Sequence, residues 1–146
     1  MIVKQKDELT NIFNSVIAEY AECVDKISQK FNLYVGQTDI LLLLDERSGR
    51  SQKELANALG VSKATVGVSL RRMETAGLVN RVTDPRDARC VRVSLTDKGI
   101  AVCNKCKADY KAVYDSMFGD AVGERRQTMY DVLDKINKGL VSARKK

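Results

Sequence analysis

Apolar positions recur along this chain in a rhythm that predicts six helices and one hairpin. Over residues 6–31, Leu9, Ile12, Phe13, Val16, Ile17, Tyr20, Val24, Ile27 and Phe31 repeat at three- and four-residue spacing, the mark of a long amphipathic helix. Residues 32–37, with Gly36, form a connector, and Gln37 or Thr38 opens a second helix. That helix runs through Ile40, Leu41, Leu42, Leu43 and Leu44, apolar all round, which predicts burial. Ser48-Gly49 breaks it within residues 45–50, where a short strand is expected. Ser51 and Glu54 then make a capping box for a third helix whose inner side is Leu55, Ala56 and Leu59. Gly60-Val61 turns the chain sharply, and Ser62 caps a fourth helix that reaches about residue 76 and buries Val66, Leu70 and Met73. Residues 78–82 and 90–94 read as two strands, joined by a loop over residues 84–89 that starts with Asp84-Pro85. After Gly99 a fifth helix carries Cys103, Cys106, Tyr110, Val113 and Met117 in heptad-like spacing. Residues 119–123 interrupt it, and a last helix shows Met129, Val132, Leu133, Ile136 and Leu140 before a basic, frayed tail.

Two short helices around a tight turn, followed by a basic hairpin, describe a winged helix-turn-helix. The fold class is therefore mainly α with a small β-hairpin wing, a winged lobe flanked by terminal helices. The outer face of the fourth helix carries Ser62, Lys63, Thr65, Val68, Ser69 and Arg72. Short hydroxyls, methyl groups and cations are the side chains that read base edges in a major groove. Arg86 and Arg89 lie near the tip of the wing, where they can meet an adjacent groove or the backbone. The candidate DNA-binding residues are thus Ser62, Lys63, Thr65, Ser69, Arg72, Arg86 and Arg89. Asp84 is expected to brace the wing by pairing with Arg86 or Arg89.

Charge sharpens this picture. The chain of 146 residues has a formal charge of +6, and residues 51–99 hold nine cations against five carboxylates. The excess falls where a phosphate-facing surface is needed. The length fits one domain or two closely packed lobes, and the low aromatic content without Trp fits an aliphatic helical core. The absence of His removes the usual general base and the Ser-His and Cys-His nucleophile pairs. With no phosphate loop or acid–base pair in context, no catalytic residue, cofactor or metal is assigned. The N-terminus lacks the apolar stretch of a secretory signal, and the run from Ile40 to Leu44 is too short to span a bilayer. Four cysteines without such a signal point to a reducing cytoplasm and free thiols.

The pieces also carry a resemblance. Residues 62–66 read Ser-Lys-Ala-Thr-Val, and residues 71–81 read Arg-Arg-Met-Glu-x-x-Gly-Leu-Val-x-Arg. Residues 84–89 follow as Asp-x-Arg-x-x-Arg and residues 93–99 as Val-x-Leu-Thr-x-x-Gly. In motifs, length and helix layout the chain resembles the MarR family of transcriptional regulators. It departs where that family often has Thr-Arg in the recognition helix and this chain has Gly67-Val68; a helical Gly costs about 1 kcal/mol against Ala. The resemblance implies a homodimer on a pseudo-palindromic double-stranded operator, most simply a repressor released by a small-molecule effector held between the first, second and fifth helices. The terminal helices hold more apolar stripe than one winged helix covers, and a symmetric dimer would use the surplus. The expected organisation is a dimerisation helix and connector over residues 1–36, the DNA-binding lobe over 37–99, and C-terminal dimerisation helices over 100–146.

Other readings remain open. Cys103-x-x-Cys106 follows no strand of a βαβ unit, and zinc would need two more ligands from Cys23, Cys90 or a carboxylate. Both thiols fall on an apolar stripe, where Cys packs as a small hydrophobe. Cys23 is placed like the reactive first-helix thiol of the peroxide-sensing MarR-like proteins, but Glu22 and Asp25 flank it and oppose a thiolate. A thiol-redox or metal-responsive regulator, or a winged helix used as a protein-interaction module, are the alternatives.

Overall fold

The computed structural model describes residues 7–34 and 36–146; residue 6, where the first helix is expected to begin, lies outside them. Backbone packing divides the chain into two units, one running to Tyr110 and the other from Lys111 to Lys146.

In the first unit, helix α1 (Glu8–Lys30) begins where the Asp7 carboxylate accepts the Thr10 amide at 2.7 Å. Helix α2 (Gln37–Glu46) buries Ile40, Leu41 and Leu44, whereas Leu42 and Leu43 are half-buried, so the apolar run is covered on one side and not all round. A two-residue strand β1 (Arg50–Ser51) follows at the expected break. Helix α3 (Gln52–Leu59) starts with the capping box: Glu54 N–H donates to Ser51 Oγ at 3.1 Å, and Ser51 N–H to Glu54 Oε2 at 2.6 Å. It ends at Gly60, whose φ of 65° is the left-handed conformation that a side chain would strain. Helix α4 (Lys63–Thr75) buries Val66, Leu70 and Met73, each at most 1% exposed. Strands β2 (Val79–Asp84) and β3 (Asp87–Leu95) complete an antiparallel sheet in the order β1-β3-β2. Val79 and Val93 turn its inner face toward the helices.

Helix α5 (Asp97–Phe118) closes the core with Cys103 and Cys106, both fully buried. The Cys103 thiol donates to the Leu41 carbonyl at 3.6 Å, and burial pushes the Cys106 thiol up to about 11. These are packing thiols in geometry and in chemistry. Lys107 pairs with Asp45 at 2.9 Å and Asp109 with Lys30 at 2.7 Å, fastening α5 to α2 and α1. The second unit holds the end of α5 and helix α6 (Gly123–Arg144), which has no buried residue. Phe118, Ala121, Met129, Tyr130 and Leu133 line an apolar hollow of about 200 Å³ there.

The wing differs from its expected form. Its strands extend to Asp84 and Asp87, so the six-residue loop contracts to a two-residue turn at Pro85-Arg86. Thr83 faces Val91 whereas Asp84 faces Asp87, and the register of β2 skips Ala88, Arg89 and Cys90. Asp84 does not take the side chain of Arg86 or Arg89. Its Oδ2 accepts Arg92 Nε at 3.0 Å and its Oδ1 accepts the Arg86 backbone N–H at 2.8 Å. Arg92 stands opposite Val82, one pleat from Asp84 on the same face, which is why it wins that carboxylate. The same guanidinium reaches Glu54 Oε2 at 3.2 Å and the Gly49 carbonyl at 3.3 Å.

Glu54 therefore caps α3 and anchors the wing together. The Ser51 amide, then the Arg47 guanidinium at 2.8 Å, hold its carboxyl down at about 2 against an ordinary 4.5. A lowered folded-state value means that the contribution to stability is complete above the unfolded value and fades as pH falls toward the folded one. Glu54→Gln should therefore destabilise the protein at neutral pH. Its deficit in denaturant unfolding should shrink as pH falls from about 4.5 to about 2. A deficit independent of pH would show that the carboxylate charge is not what matters.

Candidate nucleic-acid interface

The surface begins at the first turn of α4. Ser62 accepts the Thr65 amide at 3.1 Å and shares a second bond with the Thr65 hydroxyl at 2.8 Å, so these two side chains restrain each other. Ser62, Lys63, Thr65, Val68 and Arg72 are exposed and Ser69 is half-buried. Thr65 and Ser69 form one wall of a depression of about 310 Å³ whose other walls include Asp39, Ile40 and Val61. Arg72 stands apart from that depression: its guanidinium stacks on the Tyr34 ring, 4.7 Å from the centroid.

Gly67 is buried, and the physical reason is Gln52. A Cβ at Gly67 would lie 2.8 Å from Gln52 Nε2. That amide donates to the Lys63 carbonyl at 2.9 Å, while Gln52 Oε1 accepts Arg81 Nη2 at 3.5 Å. The glycine thus leaves room for one side chain of α3 to join the first turn of α4 to the root of the wing. The helix-propensity cost of Gly67 is offset by that contact.

On the wing, Arg86 occupies the tip with its side chain exposed. Arg89 is exposed in the skipped segment of β3, and its amide is held by Asp87 Oδ1 at 3.0 Å. Lys63 and Arg89 come together on the walls of one cleft, whereas Arg72 and Arg86 belong to separate places. Residues that the sequence pattern passed over matter to this geometry. Arg92 was visible only as a strand cation, and Gln52 and Tyr34 gave no periodic signal. Only their cross-chain partners reveal them.

Known proteins share both sequence and fold with this chain. The sequence profile of the MarR family matches residues 33–91, from the connector before α2 into β3. The HTH-type transcriptional regulator PecS of Dickeya dadantii is 28% identical over 124 residues, covering 83% of this chain and 75% of PecS. Among solved structures, a MarR protein from Peptoclostridium difficile superposes with a TM-score of 0.77 at 23% identity, covering 96% of this chain and 92% of that one. A variant of S. aureus MepR bound to oligodeoxyribonucleotide gives a TM-score of 0.65 at 22% identity, with 92% and 99% covered. Taken with the capped fourth helix and the wing, these matches identify residues 33–91 as a MarR-family segment within a chain that has the fold of MarR proteins.

Proposed function

We propose that this chain is a DNA-binding transcriptional regulator of MarR type that acts as a homodimeric repressor on a pseudo-palindromic operator and is released by a small-molecule effector in the cytoplasm. The observation that carries the DNA geometry is the exposed row on α4 beside a wing held by fixed contacts. Ser62, Lys63, Thr65, Ser69 and Arg72 would face the major groove, with Arg86 and Arg89 meeting the neighbouring minor groove and Asp84 bracing the wing. The MepR variant bound to oligodeoxyribonucleotide has the same fold, which supports this use of the surface. The dimer reading rests on uncovered apolar side chains. On α1, Leu9 is 75% exposed and Ile12, Val16 and Ile17 are about half exposed; on α6, Val132, Leu133 and Leu140 are likewise uncovered. Complete burial of an exposed aliphatic side chain is worth about 1.5–3 kcal/mol, and covering the part of each that remains in water, summed over the stripe, favours a second copy seated on them. A two-fold dimer would present its recognition helices to half-sites about one helical turn apart. Among the described residues no helix is long and apolar enough to cross a membrane.

Effector release needs a route from the α1–α2 region to α4, and buried polar groups supply one. Ser28 and Thr38 share a buried hydrogen bond at 3.0 Å between α1 and α2. Buried Gln37 accepts the Tyr34 amide at 2.9 Å and donates to the Ser69 carbonyl of α4 at 3.5 Å. A ligand that shifts the start of α2 relative to α1 and α5 would draw the recognition helix with it.

Two experiments test this reading. Sedimentation at micromolar concentration should give twice the chain mass, and Ile12→Glu should shift it toward monomer; a folded wild-type monomer would refute the dimer. Duplex binding over a panel of operator variants and salt concentrations should separate helix from wing. Arg86→Ala and Arg89→Ala should weaken binding to most duplexes and flatten the salt slope. Arg72→Ala and Thr65→Ala should instead change sequence preference by about 1–3 kcal/mol per lost base contact. Wing variants with unchanged affinity and slope would remove the wing from the interface.

A further inference from the structure

A cleft of about 280 Å³ opens at the root of the wing, and its walls come from three separate elements. Lys53 of α3, Lys63 at the start of α4 and Arg89 of β3 all line it. Elsewhere in this unit Arg47, Arg50, Arg81, Arg92 and Lys107 have carboxylate partners. Lys53, Lys63 and Arg89 have none within 4 Å among the described residues. The one carboxylate in the cleft, Asp87, accepts the Arg89 amide and keeps its charge, so the cleft holds three cations against one anion. The excess of cations around one opening makes it locally positive and attractive to an anion.

We propose that this cleft grips the sugar–phosphate strand running between the groove read by α4 and the groove met by the wing. The inference rests on the DNA geometry of the preceding section and adds the seat of the backbone. A strand that separates two grooves must pass between the elements that enter them, and this cleft lies between those elements. Lys63 then contacts phosphate at the groove edge instead of a base, and Lys53 joins the interface from α3. Because Gln52 ties the Lys63 carbonyl to α3, the backbones that carry two of the three cations are fixed relative to each other before the duplex arrives. Phosphate contacts of this kind fix register and orientation without carrying sequence information.

The test uses the full chain with a mixed-sequence duplex and an operator-like duplex. Lys53 is exposed and no ion pair depends on it, so Lys53→Gln should keep the wild-type circular dichroism and unfolding midpoint. It should lower affinity several-fold and equally for both duplexes, and reduce the magnitude of the log–log salt slope by about 0.9 for each protomer's lost phosphate contact. Scanning the duplex with neutral methylphosphonates should find one position per half-site with the same loss, and that loss should vanish in Lys53→Gln. Cys90 also lines the cleft and is half-buried, so bound duplex should slow its alkylation by iodoacetamide, read peptide by peptide. If wild-type protein binds duplex but Lys53→Gln keeps its affinity and slope and Cys90 reacts at an undiminished rate, the cleft is empty in the complex. The DNA geometry would then survive and this inference would not. Wild-type protein that binds neither duplex would overturn both.

Discussion

The Arg92 guanidinium sits where the wing, the end of the α2–β1 connection and the cap of α3 meet. It donates to Asp84 at 3.0 Å, to Glu54 at 3.2 Å and to the Gly49 carbonyl at 3.3 Å. An exposed ion pair taken singly contributes little. This one is different in kind, because both carboxylates are themselves fixed by backbone amides, Asp84 by Arg86 and Glu54 by Ser51. A two-stranded hairpin is marginal by itself, and the third strand here adds only two residues to the sheet. The guanidinium therefore ties the wing to the cap of α3 and to Gly49, where the short third strand alone would hold it weakly.

Gln52 makes the complementary link. It lies in the space left by Gly67 and connects the first turn of α4 with Arg81 at the base of β2. Between them, Arg92 and Gln52 join α3, α4 and the wing through side chains that need not touch nucleic acid. Recognition helix and wing are presented as one prearranged surface, so fewer degrees of freedom remain to be lost when a duplex docks. The polar route through Ser28, Thr38, Gln37 and Ser69 enters this same surface from the opposite side.

What was legible in the sequence was local. The Ser51–Glu54 box, the Ser62 cap, the Gly60 turn and the buried faces of α2 and α4 all follow from spacings within a few residues, where chain geometry leaves few alternatives. The loop at residues 84–89 was misjudged because Asp-Pro marks a turn without stating how far the flanking strands pair. The partner of Asp84 was missed for a related reason, since only the strand register places Arg92 on its face. The meeting of Glu54 with Arg92 and of Lys53 with Arg89 depends on tertiary packing across long stretches of chain, and no periodicity encodes it. Gly67 looked like a plain cost to the helix until the side chain lying over it was seen.

Whether fixed contacts hold the wing for use on DNA can be read from the duplex affinity of Asp84→Asn at low and high salt. Removing a carboxylate from a surface proposed to face phosphates should tighten binding if only net charge matters. If Arg92 must hold Asp84 to keep the wing in place, the same substitution should weaken binding despite the lost repulsion, most clearly at high salt where screening mutes the charge term. Weaker binding at both salt concentrations is the predicted result. Equal or tighter binding would mean that the Arg92–Asp84 contact does not position the wing for DNA.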